Sequence, residues 1–341
     1  MDALVTVIVP AWNAEKYIEP SMRSILAQSH RALRVLAIDD GSTDATPQIL
    51  AKLAAEDARL RYLTVPNGGP AAARNRALDM LPEGTDYVMF LDADDLLLPD
   101  AIDYALEGGR GADLTIFGYS IQRPDGSRRD YCEPEQRISH ARLGQALPRL
   151  YKANLLNQVW AKLYAAPLLE GLRFPDYRWG EDRLFLFSAL ERAETIQILP
   201  ESKHRYVMHE GESLITRYYD KKFRVCCEID ERLEGLCSEL DIREEAPFRY
   251  MFLKSVFSCL TTLYAGSCRL SGAEKRQVAA QILEDERVRR RCRDTEGGLP
   301  AATLCAVLRT GSPGLTLACA RAMAWTGERF PRLFMALKHR K

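Results

Sequence analysis

The chain has 341 residues, 47% hydrophobic and 28% charged, which is the composition of an ordinary globular protein with one large domain and an appendage, or with two domains. Lysine plus arginine and aspartate plus glutamate both total 47, so the global charge gives no indication of a nucleic-acid partner. No run of 18 apolar residues predicts a membrane-spanning helix, and the first residues, MDALVTVIVPAWN, lack the basic segment of a signal peptide. We therefore expect a cytoplasmic protein whose nine cysteines are reduced.

The first 120 residues predict strands and helices in alternation. Runs rich in β-branched and aromatic residues predict strands at residues 4–9, 34–38, 61–65, 87–91 and 113–118. Helices are predicted between them, at residues 14–28, 46–58, 71–80 and 99–107. Near-continuous apolar strands separated by helices indicate an α/β fold with a parallel sheet covered on both faces. Ligands of such sheets bind at the carboxyl ends of the strands.

The rest of the chain changes character twice. The sequence RPDGS at residues 123–127 predicts a turn between antiparallel strands. Helices are predicted at residues 139–153 and 181–192, and strands at residues 195–199 and 203–208. After residue 219 the pattern is helical almost throughout. We expect two parts, residues 1–216 with the sheet and residues 217–341 as an α-helical region.

Acidic side chains follow the fourth predicted strand, where Asp92, Asp94 and Asp95 occupy three of four positions. Carboxylates at that spacing raise each other's pKa unless a cation lies among them. An Asp-x-Asp sequence at the end of a strand can offer oxygens to Mg²⁺ or Mn²⁺, ions that share their remaining positions with water and substrate phosphates. The alternative is a solvated acidic loop that caps the next helix.

Two common nucleotide-binding sequences are absent, since neither G-x-G-x-x-G nor G-x-x-x-x-G-K-[ST] occurs after the first strand. An NAD-dependent enzyme and a P-loop NTPase are therefore not predicted. The predicted strand ends instead supply Asp40, Asp92 and Arg74. A carboxylate can accept hydrogen bonds from a pyrimidine N–H or from ribose hydroxyls, and an arginine can stack on a base or offset phosphate charge.

Four segments in this order, VIVPAWN-x-x-x-Y, IDDGSTD, PNGGPAAARN and FLDADD, resemble the signature of glycosyltransferase family 2. The resemblance runs from about residue 6 to residue 216 and implies the GT-A fold, a Rossmann-like and mostly parallel sheet. It implies a nucleotide pocket lined by Pro10, Ala11, Asn13, Asp40 and Arg74. Asp92 would face the ribose or the metal, and Asp94 would bind the Mn²⁺ or Mg²⁺ that bridges the diphosphate. Asp95 would either join them or cap the helix that begins near Pro99.

Two later segments, NQVWAKLY at residues 157–164 and WGED at residues 179–182, also resemble these enzymes. The resemblance implies that Glu181 and Asp182 open a helix beside the acceptor and that Asp182 is the general base. Inversion at an anomeric carbon independently requires a base that takes the proton of the acceptor hydroxyl. The alternative is that Glu181 and Asp182 only stabilise the helix, because the helix dipole favours acids at its N-terminus. The expected contacts with the acceptor or the diphosphate are Trp160, Lys162, Glu181 and His209.

The expected activity is therefore inverting, metal-dependent transfer of a sugar in cell-surface polysaccharide synthesis. The expected donor is a UDP-sugar, because uridine is the usual base in the family. The expected acceptor is a hydroxyl of a glycan or of a lipid-linked molecule. Residues 313–341 interleave apolar and basic side chains, which suits either peripheral contact with the inner face of the plasma membrane or a packed terminal helix. Two other classes stay open: a D-x-D phosphotransferase, although Leu96 stands where those enzymes have Thr or Val, and a non-catalytic nucleotide-sugar-binding scaffold.

Overall fold

The computed structural model describes residues 2–209, 216–243, 246–293 and 298–329, with the side chains of residues 298–301 and 327–329 left out. The chain forms two compact units. The first unit comprises residues 1–210 with 239–241, and the second comprises residues 211–238 with 242–341. The separate roles that we expect for residues 1–216 and 217–341 remain a prediction.

The first unit is built on a sheet with ten strands among the described residues. The strands are β1 (Val5–Ala11), β2 (Leu33–Asp39), β3 (Leu60–Thr64), β4 (Tyr87–Phe90), β5 (Leu96–Leu97), β6 (Leu114–Gln122), β7 (Arg128–Tyr131), β8 (Gln136–Ser139), β9 (Lys162–Ala165) and β10 (Thr195–Val207). The order is β3-β2-β1-β4-β9-β6-β10-β5, with β7 beside β6 and β8 beside β10. Strands β1 to β4, β6 and β10 run parallel, and β5, β7, β8 and β9 run against them.

Six helices accompany this sheet in the described residues. They are α1 (Ile18–Leu26), α2 (Thr46–Glu56), α3 (Pro70–Leu78), α4 (Ala101–Gly108), α5 (Leu143–Lys152) and α6 (Glu181–Arg192), with short 3₁₀ turns at His140–Arg142 and Ala166–Leu169. Helix α1 shows why such segments form, because Ile18, Met22 and Ile25 recur at helical spacing and are fully buried. Burial of each such side chain stabilises the fold by about 1.5–3 kcal/mol.

The central strand β1 lies between two parallel neighbours, and its Val5, Val7, Ile8 and Val9 have no exposed surface. Apolar residues on both faces of a strand are buried only where the sheet is covered on both sides. The parallel strands carry the loops that follow them to one edge of the sheet. Strand β9 runs in the opposite direction between β4 and β6, so the turn that precedes β9 lies at this same edge.

The predicted α/β architecture is confirmed, and the predicted elements of the first 120 residues occur with ends shifted by a few residues. The predicted turn is confirmed too, since Arg123 N–H donates to Ser127 O (2.9 Å) between antiparallel β6 and β7. One prediction is wrong: residues 195–207 form a single strand, not two. Its pairing with β6 is irregular between Leu199 and His204, and this interruption explains the break in the apolar pattern. The sequence analysis does not predict the strands β5, β8 and β9.

The second unit is helical in its described residues, as predicted. Its helices are α7 (Lys222–Glu239), α8 (Ala246–Thr262), α9 (Gly272–Glu284), α10 (Glu286–Arg293), α11 (Gly298–Arg309) and α12 (Pro313–Arg329). Helix α9 begins with a capping box in which Ser271 Oγ accepts from Glu274 N–H and the Glu274 carboxylate accepts from Ser271 N–H. In the part of the chain that the structure describes, none of the helices combines the length and apolar character needed to cross a bilayer.

Candidate functional site

Arg74 lies at the centre of a buried charge cluster. It stands in the second turn of α3 and is 3% exposed. Its Nη2 donates to Asp92 Oδ1 (2.7 Å), and its Nη1 donates to Asp182 Oδ1 (2.8 Å) and to Glu181 Oε1 (3.2 Å). Burial alone would lower the pKa of Arg74, but the three carboxylates outweigh it and raise the pKa. One guanidinium therefore joins the loop after β4 to the start of α6.

The N-terminus of α6 presents two acids. Gly180 adopts φ +83°, a conformation that glycine reaches without a steric penalty, and Glu181 and Asp182 form the first turn, where the helix dipole favours negative charge. Burial raises the pKa of Glu181 to about 7; Asp182 adds to this shift and Arg74 opposes it. Burial also raises the pKa of Asp182, while Arg74 opposes the shift and Asp92 adds to it. A carboxylate with a raised pKa is suited to take a proton near neutral pH.

Asp40 follows β2 and is almost fully buried, with 3% exposed. Its two carboxylate oxygens accept from the backbone N–H groups of Gly68 and Gly69, each at 2.8 Å, and its carbonyl accepts from the amide of Asn67 (2.9 Å). Burial raises the pKa of Asp40, and the two N–H groups oppose the shift. Asp40 thus ties the loop after β2 to the loop after β3, and nothing in the sequence pattern indicated this second role.

The residues predicted around β1 lie at the same edge of the sheet. Pro10 and Ala11 end the strand, and Asn13 follows with φ +48°. Asn13 Oδ1 accepts from Thr43 N–H (2.8 Å), and Asn13 N–H donates to Ser42 Oγ (2.9 Å). The predicted nucleotide-binding residues therefore lie at the end of β1, in the loops after β1, β2 and β4, and in α3.

The three acids after β4 face different surroundings. Asp92 pairs with Arg74. Asp95 has no exposed surface; its Oδ2 lies 2.9 Å from His204 Nε2 and its Oδ1 accepts from Val207 N–H (3.0 Å). The expectation that Asp95 caps the next helix is wrong, because its oxygens bind β10 and α4 begins after Asp100. His204 was missed, and a lone histidine within a strand carries no sequence signal of such a partner.

Asp94 is the most exposed member of the trio, and His209 lies beside it. The Asp94 side chain is 42% exposed, and its Oδ2 lies 3.7 Å from His209 Nε2, beyond hydrogen-bonding distance. Burial within the loop raises the pKa of Asp94 to about 7, with Asp95 and Asp92 adding to the shift. The imidazole of His209 stacks on Tyr17 with ring centres 3.8 Å apart, and its buried Nε2 has no hydrogen-bond partner in the described residues.

These observations fit a divalent cation, because an unpartnered imidazole nitrogen and a carboxylate oxygen are both accepted ligands of Mn²⁺. Mn²⁺ or Mg²⁺ bound by two protein groups fills its other positions with water or phosphate oxygens. Within the described ranges, no three His, Cys, Asp or Glu side chains are arranged as a complete protein cage.

Trp160 and Lys162 are placed differently from the prediction. Trp160 is 7% exposed and stacks on His204, with ring centres 4.3 Å apart. Lys162 has no exposed surface, and its Nζ donates to Trp160 O (3.2 Å). The expectation that the Lys162 side chain contacts acceptor or diphosphate is wrong, because its ammonium is enclosed by the sheet. The strand-like spacing of Lys162 and Tyr164 in NQVWAKLY could have indicated inward-facing positions.

Comparison with known proteins gives one family. Residues 6–160 match the sequence profile described as Glycosyl transferase family 2. An uncharacterized glycosyltransferase, EpsJ of Bacillus subtilis (strain 168), is 30% identical over 213 residues, which are 60% of this chain and 61% of EpsJ. The succinoglycan biosynthesis protein ExoW of Rhizobium meliloti (strain 1021) is 33% identical over 178 residues, 50% of this chain and 55% of ExoW. The chain thus spans less than two thirds of these relatives.

Solved structures share the fold. The structure of S. aureus TarS 1–349 in complex with UDP-GlcNAc matches with a TM-score of 0.63 and 21% identity, covering 96% of this chain and 91% of TarS 1–349. The mannosyltransferase PcManGT from Pyrobaculum calidifontis, in complex with GDP-Man and Mn²⁺, matches with a TM-score of 0.54 and 18% identity, covering 95% of this chain and 88% of PcManGT.

Proposed function

We propose that this chain, whose residues 6–160 match glycosyltransferase family 2, is an inverting, metal-dependent enzyme that moves a sugar from a nucleoside diphosphate to an acceptor hydroxyl. One observation carries the proposal. Arg74 holds Asp182 within hydrogen-bonding distance at the edge of the sheet where the loops bearing Asp40, Asp92 and Asp94 also end. The side chains that we propose as base, as metal ligand and as nucleotide-binding groups therefore lie at one edge of the sheet.

Asp182 is the proposed general base. Its Oδ1 accepts from Arg74, and the side chain keeps 19% of its surface exposed, so it can reach a hydroxyl that enters from solvent. Taking the proton from that hydroxyl makes the oxygen a stronger nucleophile as it attacks the anomeric carbon. Glu181 contributes by sharing Arg74, which fixes the orientation of the helix start.

Asp94 is the proposed metal ligand, and His209 is proposed as its companion. When bound, Mn²⁺ or Mg²⁺ would supply positive charge that offsets the negative charge developing on the leaving diphosphate. Asp92 and Asp40 are proposed to bind the ribose and the base of the donor, together with Pro10, Ala11 and Asn13.

The proposed donor and acceptor are suggested by the relatives and by the solved structures. TarS binds UDP-GlcNAc and PcManGT binds GDP-Man, according to their structures, and both share the fold of this chain. We propose a UDP-sugar as donor and a glycan or lipid-linked hydroxyl as acceptor in cell-surface polysaccharide synthesis. The name of ExoW, a succinoglycan biosynthesis protein, supports that class of acceptor.

The test begins with Asp182→Asn and its control Asp176→Asn, which changes an exposed acid in the loop before α6. UDP should raise the melting temperature of both variants and of the wild type only when Mn²⁺ is present. Sugar transfer should be lost in Asp182→Asn and unchanged in Asp176→Asn. Normal turnover of Asp182→Asn would exclude it as the base, and no response to any nucleotide would exclude the enzyme class. Nucleotide binding without hydrolysis or transfer in the wild type would favour the scaffold alternative.

A second proposal concerns residues 313–341, which we propose make peripheral contact with an anionic membrane on its cytoplasmic face. In α12, Leu315 and Trp325 are 48% and 57% exposed, and residues 330–341, outside the described residues, add six apolar side chains and four lysines or arginines. The full chain should sediment with vesicles containing phosphatidylglycerol and not with phosphatidylcholine vesicles. Deleting residues 330–341 should abolish this sedimentation; if it has no effect, the basic segment simply forms a solvated end of the chain.

A further inference from the structure

Asp95 is a buried carboxylate that no step of the proposed reaction uses. It has no exposed surface, and its two oxygens contact different residues of β10. Its Oδ2 lies 2.9 Å from His204 Nε2, and its Oδ1 accepts from Val207 N–H (3.0 Å). Burying a carboxylate is costly unless hydrogen bonds compensate the lost water. Here both compensating contacts join the loop after β4 to the last residues of β10.

The backbone contributes little to this junction. Strand β5, which follows the loop, has two residues and is shorter than most strands. It pairs antiparallel with His204 and Arg205 of β10. Two residues beyond Arg205, Val207 N–H donates to the Asp95 side chain instead of to a strand. The Asp95 carboxylate therefore extends the contact between the loop and β10 past the end of the short ladder.

The two segments that Asp95 joins carry the proposed ligands of the metal. Asp94 precedes Asp95 in the loop, and His209 follows Val207 by two residues. Asp94 Oδ2 lies 3.7 Å from His209 Nε2, a buried nitrogen without a hydrogen-bond partner in the described residues. Two ligands of an octahedral ion such as Mg²⁺ lie about 3 Å apart when adjacent and about 4 Å apart when opposite. The observed separation falls in this range, so the spacing of the two segments determines whether both side chains reach one ion.

His204 is itself held in place by aromatic contacts. Its ring stacks on Trp160 with ring centres 4.3 Å apart and planes at 5°, and Trp160 stacks on Tyr206 with ring centres 5.8 Å apart. Stacked rings in a packed interior have little freedom to rotate. The other nitrogen of His204, Nδ1, has no hydrogen-bond partner within the described ranges. The polar edge of a fixed ring is thus directed at the Asp95 carboxylate.

We propose that Asp95 and His204 are positioning residues for the metal site. Asp95 sets the distance between the loop that carries Asp94 and the segment that carries His209, and His204 holds the Asp95 carboxylate in the orientation that does so. Partners that orient metal ligands from outside are a common requirement of metal sites. This inference rests on the proposed function, in which Asp94 and His209 bind Mn²⁺ or Mg²⁺. Asp95 itself is not a ligand, because both of its oxygens are engaged by β10.

Three substitutions separate positioning from ligation. Asp95→Leu keeps a side chain of similar size and removes both contacts with β10. His204→Phe keeps a flat ring on Trp160 and removes the nitrogen that meets Asp95. Asp95→Asn removes the charge but keeps an oxygen for Val207 N–H and gains an amide group that can donate to His204 Nε2.

Asp113→Leu is the matched control. Asp113 Oδ2 accepts from Thr195 N–H (2.8 Å), so this substitution also removes a carboxylate that binds the backbone of β10. Thr195 is the first residue of β10, at the end of the strand away from His209. The main assay is the Mn²⁺ concentration that gives half of the maximal rise in melting temperature at saturating UDP. Electron paramagnetic resonance of Mn²⁺ with UDP measures the bound ion directly, and sugar transfer is followed at saturating Mn²⁺.

Asp95→Leu should raise the half-maximal Mn²⁺ concentration at least tenfold. His204→Phe should raise it about fivefold or more, because one of the two contacts of Asp95 remains. Asp95→Asn should stay within about threefold of the wild type, since both contacts can persist. Asp113→Leu should lower the melting temperature without ligands and leave the Mn²⁺ dependence unchanged. At saturating Mn²⁺ the kcat of the Asp95→Leu and His204→Phe variants should lie within about threefold of the wild-type value, because the proposed base is untouched.

A folded Asp95→Leu or His204→Phe variant with the wild-type Mn²⁺ dependence would overturn the inference. It would also be overturned if Asp95→Asn weakened Mn²⁺ binding as much as Asp95→Leu, since the carboxylate would then act as a ligand. If Asp95→Leu does not fold, the Mn²⁺ titration of His204→Phe decides the question.

The proposed function is tested separately by the wild type and by Asp94→Asn. If UDP stabilises the wild type equally with and without Mn²⁺, or if Asp94→Asn keeps the Mn²⁺ effect, the proposed metal site fails, whatever the Asp95 variants do. If the wild type and Asp94→Asn behave as proposed and the Asp95 and His204 variants bind Mn²⁺ normally, only the inference about positioning fails.

Discussion

Replacing Arg74 by methionine should destabilise the first unit strongly. The substitution removes three charge-assisted hydrogen bonds, to Asp92 (2.7 Å), Asp182 (2.8 Å) and Glu181 (3.2 Å), and leaves their carboxylates without a guanidinium. Removing one partner of a buried ion pair typically costs about 3–5 kcal/mol, mainly because the remaining charge stays desolvated. We expect a loss of this size in the free energy of unfolding at pH 8.

The loss should shrink as the pH falls. Glu181 has a folded-state pKa of about 7, above its ordinary value of 4.5, so the stability that it contributes is present at low pH and lost as the pH rises through 7. Without Arg74 the pKa of Glu181 and of Asp182 would rise further, because Arg74 opposes both shifts. At pH 5 the Glu181 carboxyl should therefore bind a proton in the folded variant, and the loss in the free energy of unfolding should be smaller than at pH 8.

Urea unfolding followed by tryptophan fluorescence is the assay, because Trp12, Trp160 and Trp179 report on the first unit. Arg76→Met, which changes an exposed arginine of the same helix, should cost less than about 0.5 kcal/mol at either pH. Arg74→Lys should be intermediate, because one ammonium cannot reproduce the fork that reaches three carboxylates. A loss below about 1 kcal/mol at pH 8, or a loss that is the same at pH 5 and pH 8, would refute the reasoning.

Gly41→Ala should destabilise the first unit by at least ~1 kcal/mol more than Gly84→Ala, as measured by urea unfolding. Both glycines have positive φ (+71° and +78°), but only at Gly41 would the added Cβ lie 2.9 Å from the backbone nitrogen of Asn67; equal losses would contradict this. Asp40→Asn should cost about 1–3 kcal/mol in thermal unfolding without nucleotide, because an amide keeps one acceptor for two N–H groups. Asp94→Asn should abolish the Mn²⁺-dependent part of the stabilisation by UDP without lowering the stability of the metal-free protein, since this side chain is 42% exposed. Persistence of the metal effect would exclude Asp94 as a ligand.

The sequence predicted the parallel half of the sheet well, because strands buried on both faces must be apolar throughout. The apolar run of β1 shows neither helical nor alternating spacing, so it predicts only a strand buried on both faces; its members are Val5, Val7, Ile8 and Val9. The prediction failed for β9, which has four residues and starts with a lysine. A charged first residue and a short length both argue against a buried strand, and the cost of burying Lys162 becomes understandable only from the turn that it holds.

The candidate site could be predicted as a set of residues, not as an arrangement. Acids after parallel strands must converge at one edge, so the proximity of Asp40 and Asp92 followed from the topology. The topology did not predict which partner each acid after β4 has. Asp92 pairs with Arg74 and Asp95 with His204, and His204 lies 109 residues from Asp95 in the chain. No local pattern determines which acid of a triplet meets which distant partner.

The reversed strand β9 also sets the order in which the chain can fold during synthesis. The Arg74–Asp92 pair closes over 18 residues and can form as soon as β1 to β4 have emerged, whereas the Arg74–Asp182 pair spans 108 residues. At about 5–20 residues per second, the second carboxylate follows roughly 5–18 s after the first. Throughout most of that interval β4 has an open edge, and β6 emerges before the strand that belongs between them. During synthesis there is therefore a stage in which the position between β4 and β6 is not yet filled by β9. At this stage, binding of a chaperone or mispairing of β4 with β6 competes with native folding.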